Sequence, residues 1–203
     1  MKRILLLAAL VAFSIPGFAQ QGVYQQKGKA IAGHSLDMVT VHYVFAFSCP
    51  HCHHFNPVLN QLKAQFGDKI KIIGVPMPWG GDDPGRLYLL AEKRGKGDEV
   101  KDMLFDFIHE KGLGASLYQR DKLVFVAKLN GLLDVFQTEM DSPWVIEESQ
   151  QRVKLAEGLG IDSTPTLVVE RSLVAAGNAE NLALIVNSLL KTPIAYKPIT
   201  ERH

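Results

Sequence analysis

Two cysteines, and no others in 203 residues, stand three positions apart in the stretch Phe47-Ser48-Cys49-Pro50-His51-Cys52-His53-His54-Phe55. Their surroundings constrain the fold more than any other feature. Upstream, Val41, Tyr43, Phe45 and Phe47 alternate with His42, Val44 and Ala46. Apolar residues at both phases predict a central strand over Leu36 to Phe47, covered on both faces. Downstream, Pro50 suits the first turn of a helix, where its missing N–H costs nothing. Phe55, Val58, Leu59, Leu62 and Phe66 then keep a helical spacing, with Pro57 expected to kink the helix. The cysteine pair therefore falls on a strand-to-helix junction in an α/β arrangement.

The remaining chain extends that reading. Residues 20–35 are polar and predict a loose lead-in with at most a short edge strand. Lys69 to Val75 reads as a second strand. Asp83-Pro84 closes a Pro/Gly-rich loop and opens a helix, as an N-cap followed by proline does. From Arg86 to Gly160 the pattern is helical, in pieces near 85–95, 98–112, 119–130 and 143–159. Thr166 to Val169 and Ser172 to Ala176 predict a hairpin, although Glu170-Arg171 is poor two-residue turn chemistry, so a longer or bulged connection is expected. Asn178 can cap a last helix over 179–191, and the tail from Thr192, with two prolines, reads as frayed. The simplest organisation is one α/β domain (20–85 and 161–191) interrupted by a helical insertion (86–160), with a C-terminal tail at 192–203.

Hydrophobic residues make up 47% of the chain and charged residues 21%, which suits a packed core. Lys2 and Arg3 precede an apolar run from Ile4 to Ile15, and Gly17-Phe18-Ala19 offers small residues for cleavage before Gln20. These are the marks of a secretory signal peptide over residues 1–19, since the run is shorter than the roughly 20 residues a spanning helix needs. Without Lys2 and Arg3, 20 basic residues face 21 acidic ones, so bulk charge points to no nucleic acid or other partner. The mature protein is expected to be soluble and exported, as a monomer by default.

Export narrows what two cysteines can be. A structural bridge closing so short a loop is worth only about 2 kcal/mol, little help to a domain with its own core. Cys49-Pro50-His51-Cys52-His53 also spells the haem-attachment signature C-x-x-C-H, with His53 and one of Met77, Met103 or Met140 as axial ligands. Methionines so placed are more often core, however, and alternating strands suit small cytochromes badly. Cys49, Cys52, His53 and His54 are acceptable zinc or copper ligands, yet neighbours on a helix point apart, and no metal is assigned. His53 and His54 read as solvent-facing rim residues, and His34, His109 and His203 as surface or loop. Thiol–disulfide exchange remains. A thiolate is the attacking species. Cys49 at a helix N-terminus can accept free backbone N–H bonds and feels the positive end of the dipole, while His51 can add a donor or a positive charge.

With these features in place, the chain resembles the DsbA-like branch of the thioredoxin superfamily over about residues 36–191. The resemblance is carried by Cys49-Pro50-His51-Cys52, by Pro57 eight positions after Cys49, and by Ser163-Thr164-Pro165-Thr166 ahead of the hairpin. It implies a thioredoxin fold with an inserted helical domain, and a cis-proline loop at Thr164-Pro165. It also implies a redox-active Cys49–Cys52 disulfide with no other cofactor, in which Cys49 forms the mixed disulfide, Cys52 resolves it, and Pro50 and His51 tune the thiolate. The activity implied is that of a periplasmic enzyme donating its disulfide to exported polypeptides and recharged by a DsbB-like membrane quinone oxidoreductase. A disulfide isomerase or reductase of the same fold is the alternative, favoured by Thr164, since threonine before the proline is more typical of the isomerases. Tyr43 occupies the position, six before the first cysteine, where family members often carry a buried acid. Either Tyr43 is core, or proton transfer falls to water or His42.

Overall fold

The structure, a computed structural model, describes residues 22–27 and 35–197; the expected signal peptide lies outside them, as do His34 and His203. The strand expected before the cysteines forms as β2 (Val39–Phe45), and the following segment as α1 (Pro50–Phe66), which runs on through Pro57. The chain returns in β3 (Ile70–Pro76), parallel to β2 with Val39 opposite Ile70. A parallel pair needs a crossover, and α1 supplies it, so the cysteines sit at the carboxyl end of a central strand. The hairpin β4 (Thr166–Val169) and β5 (Leu173–Ala176) adds antiparallel to the other side of β2, with Val41 opposite Val169. A two-residue edge strand, β1 (Gln25–Gln26), pairs with β5 and gives a sheet of order β1-β5-β4-β2-β3.

The alternation in β2 divides the core. Val41, Tyr43, Phe45 and Phe47 face α1 and a last helix, α7 (Ala179–Leu189), meeting Phe55, Leu59, Leu62, Leu182 and Ile185. Val44 and Ala46 face the other way with Val75 and Val168, against Ala156 and Ile161. Asn178 caps α7 as expected, its Oδ1 accepting from Asn181 N at 2.8 Å. Between β3 and β4 the chain forms α2 (Asp83–Lys93), α3 (Gly97–His109), a 3-10 turn (Gly114–Tyr118), α4 (Arg120–Leu129), α5 (Leu133–Glu139) and α6 (Pro143–Gly158). The thioredoxin fold with a helical insertion is thus the observed architecture. α6 lies against β3 and α2, covering the second face of the sheet.

Three details depart from or refine the sequence reading. Helix α5, entered through Gly131 at φ 67°, has no counterpart in the expected pieces; seven residues are too few to display a periodicity. Glu170 and Arg171 both adopt positive φ (48° and 58°), and Ser172 N bonds back to Val169 O. With Val169 opposite Leu173, the connection has three residues, the longer turn that the chemistry called for. Positive φ is unfavourable for such side chains, but Glu170 is held on both sides by Thr40, whose N–H donates to Oε1 at 2.6 Å and whose carbonyl accepts from Glu170 N.

The tail is the third departure, because through Lys197 it is not frayed. Asn187 grips Ile194 at both N and O (2.7 and 2.9 Å), and Gln65 of α1 grips Lys197 in the same way at 3.0 Å each. Amide side chains here satisfy backbone groups that a proline-rich segment cannot pair within itself, and Ile194 and Tyr196 pack on the core.

Candidate active site

The chain leaves β2 through a tight turn, in which Cys49 N donates to Ala46 O at 3.1 Å. Cys49 is the N-cap of α1, extended at φ −88° and ψ 112°, with Pro50 in the first turn. That conformation aims Sγ at the N–H groups of the helix start, and Cys52 N, which also donates to Cys49 O at 3.1 Å, donates to it at 3.2 Å. Backbone donors and the positive end of the helix dipole favour negative charge at that sulfur. Cys52, one turn on, is fully buried, whereas Cys49 is partly exposed. Burial, then the hydrogen bond with Cys49, pushes the Cys52 thiol up to about 12. The pair is therefore asymmetric: one sulfur is accessible at the start of a helix, the other is enclosed and holds its proton.

Thr164 and Pro165 come to the same place from the far end of the sequence. Their peptide bond is cis, and the Thr164 carbonyl lies 3.5 Å from the Cys49 Sγ, which donates to it as a thiol. Pro165 O accepts from Gly177 N at 3.0 Å, and Thr166 Oγ1 closes the loop on Ser163 O. On the helix side, Pro50 and His51 are exposed beside the cysteines. Ser48 Oγ donates to Trp79 O at 2.9 Å, tying the turn to the loop after β3, where the Trp79 indole remains partly exposed.

Tyr43 is core, as one of the two sequence readings had it, but its hydroxyl also donates to Cys52 O at 3.2 Å. Its ring stacks on Phe45 at 4.9 Å, and burial, with Cys52 beside it, holds its hydroxyl well above the usual phenol range. It remains a neutral donor beneath the helix start. His42, by strand alternation, faces the opposite layer, where burial beside Arg171 and Arg152 lowers it to about 4.

His54 is exposed as expected, but His53 and His109 correct the sequence reading. His53 is half-buried, and its ring stacks on that of His109, the last residue of α3, at 5.0 Å and 11°. His53 Nε2 lies 3.5 Å from Glu110 Oε1, and burial followed by His109 lowers its pKa. His109 Nε2 stands 2.8 Å from Phe47 O. A histidine near the end of a helix gives no sign, in the sequence, of the loop it will meet. The methionines considered as axial ligands go elsewhere: Met77 and Met140 are buried in different clusters. Among the described residues no three His, Cys, Asp or Glu side chains converge as metal ligands, and no helix is long and apolar enough to cross a membrane.

Residues 25–187 match the family described as Thioredoxin. The thiol:disulfide interchange protein DsbA of Pseudomonas syringae pv. tomato is 26% identical over 204 residues, covering 94% of this chain and 95% of that protein. The crystal structure of the oxidoreductase DsbA from Xylella fastidiosa superposes with a TM-score of 0.64 at 28% identity, over 75% of this chain and 84% of that one. A Pseudomonas aeruginosa DsbA variant, at 19% identity, shares the fold with a TM-score of 0.70 over 83% of this chain and 94% of its own.

Proposed function

Since this chain belongs to the thioredoxin family and is a DsbA-like thiol:disulfide oxidoreductase, we propose that Cys49 and Cys52 are its redox pair and that it works as an oxidant of exported polypeptides. The observation that carries this reading is the asymmetry of the pair, a partly exposed Cys49 sulfur on a helix N-terminus above a buried Cys52. In the proposed cycle a substrate thiolate attacks Cys49 Sγ of the Cys49–Cys52 disulfide. The new bond joins substrate to Cys49 as the old one breaks, and its electron pair goes to Cys52, which takes up a proton and keeps it. A second substrate thiolate then attacks the substrate sulfur of the mixed disulfide and expels Cys49 as the thiolate, which the start of α1 receives. Two electrons have moved from substrate to enzyme, and the substrate holds a new disulfide.

In this scheme Pro50 sets the first helical turn and His51 supplies a donor or positive charge beside the Cys49 thiolate. Thr164 and Pro165 bound the surface on which the substrate chain lies. Stabilising the thiolate stabilises the reduced enzyme and so makes the disulfide a stronger oxidant. No cofactor beyond the Cys49–Cys52 disulfide is required. Reoxidation falls to a DsbB-like membrane quinone oxidoreductase, and the site of action is the periplasm, reached through the signal at residues 1–19 and occupied as a monomer.

The deciding measurement is the reduction potential of the pair in glutathione buffers. A value toward about −120 mV is that of DsbA oxidants, and one toward about −270 mV, as in thioredoxin, would reverse the proposed direction. In the same assay His51→Ser should give a more negative potential. Cys49→Ser should abolish exchange and Cys52→Ser should accumulate mixed disulfides; wild-type turnover by both variants would sink the role assignments.

A further inference from the structure

The insertion does more than enlarge the molecule. Its helix α3 ends against the turn that carries the dithiol, and His109 makes the contact. Nε2 lies 2.8 Å from Phe47 O. A carbonyl oxygen can only accept, so Nε2 carries the ring proton. The same ring lies flat on His53 at 5.0 Å and 11°, with Phe105 at 6.1 Å from both imidazoles. Phe47 stands two residues before Cys49 and His53 one residue after Cys52. A single imidazole from the insertion thus touches both flanks of the redox pair, and Glu110 Oε1, 3.5 Å from His53 Nε2, closes the group.

We propose that His109 is a positioning residue for the dithiol, holding the Ala46–Cys49 turn through the Phe47 carbonyl; this rests on Cys49 being the exchanging sulfur. The physical link is the direction of the peptide planes. Cys49 N already donates to Ala46 O at 3.1 Å. With the Phe47 carbonyl also turned toward His109, the planes leading into Cys49 are held from two sides. Cys49 then keeps the extended conformation that puts its sulfur 3.2 Å from Cys52 N. Phe47 is itself 3% exposed, so little water is at hand to replace a lost donor. Freed of it, the turn can reorient, the helix start caps the thiolate less well, and the reduced form loses its advantage.

The test compares His109→Phe, which keeps the flat ring on His53 but removes the donor, with His109→Gln, whose amide N–H can reach the same carbonyl. Each mature protein is equilibrated with glutathione, and its folding is verified by circular dichroism. The expected result is that His109→Phe lowers the equilibrium constant for reduction of the pair by roughly three- to tenfold, the range of one lost hydrogen bond. His109→Gln should stay within about twofold of wild type, since a neutral hydrogen bond of this kind is retained. An unchanged constant in His109→Phe overturns the proposal, and so does an equal shift in both variants, which would assign the effect to the ring rather than the donor. The wild-type potential from the same titration judges the direction of exchange separately. A reductant-like wild type would reject the oxidant reading, while the difference between variants would still decide the role of His109.

Discussion

Gly177 shows how much a single missing atom does for the loop beside the sulfurs. A Cβ built there would lie 2.6 Å from Pro165 Cγ and 2.8 Å from its Cβ. The obstacle is a ring locked to the backbone, not the end of a flexible side chain, so the loop itself must move. Gly177→Ala should therefore cost about 1–3 kcal/mol, the usual range for forced overpacking. It should also slow thiol exchange, because Thr164 O sits against Cys49. Urea unfolding and an exchange assay check both effects; a variant that matches wild type in both would mean the loop yields freely. At the same scale, Tyr43 is a position where apolar alternation alone predicts a core ring, and does so correctly. Its bond to Cys52 O could not be foreseen, because it depends on where α1 begins above the strand.

Between elements, Arg152 is the tie that fastens α6 to the sheet and to the first inserted helix. Its guanidinium donates to Gly74 O of β3 at 2.6 Å and to Glu148 at 2.8 Å, and pairs with Glu92 of α2. Glu92 in turn accepts from Tyr88 at 2.6 Å. Gly74 is buried, while Glu92 and Glu148 are 31% and 41% exposed, so removing the cation strands the strand carbonyl and leaves the two carboxylates to water. Arg152→Ala should lower stability by about 1–3 kcal/mol, the range for leaving a buried acceptor without its donor. Arg152→Lys should recover only part of that, since one ammonium cannot span three acceptors as the planar fork does. Urea midpoints measure both, and full recovery by lysine would show that charge rather than geometry matters. The main elements of this region were legible from helical spacing and from Asp83-Pro84. Helix α5 was not, because two turns packed between neighbours are stabilised by that packing and leave no pattern of their own.

For the whole molecule, two buried groups set opposite limits on the pH range of stability. Cys52 holds its proton to about 12 in the folded dithiol form, against about 9 for an ordinary thiol. Between those values the unfolded chain binds fewer protons, so stability falls as pH rises, by up to about 1.4 kcal/mol per unit. The reduced protein should thus destabilise from about pH 9 upward, while the oxidised protein, lacking that thiol, should not share this slope. His42 works on the acid side, lowered from 6.5 to about 4. Its contribution is complete above about pH 6.5 and is lost as pH falls toward 4, to the extent of about 3 kcal/mol. Denaturation midpoints of both redox forms across pH 4–10.5, with His42→Leu as control, check the two slopes; parallel curves for the reduced and oxidised forms would reject the assignment to Cys52.

What the sequence by itself determined is local. A strand covered on both faces, a helix opened by Cys49-Pro50, a proline ahead of a hairpin and an Asn178 cap are each written within a dozen residues, where alternation, helical spacing and turn chemistry act. Those segments also established the order of elements, and with it the fold. Tertiary structure alone decided the rest: that Thr164 reaches Cys49, that His109 stacks on His53 and meets Phe47, and that Asn187 and Gln65 pin the tail. Apart from Asn187 and Ile194, which are seven positions apart, these contacts join residues far apart in the chain, and all arise from the directions in which packed elements turn their side chains, which no periodicity along the sequence records.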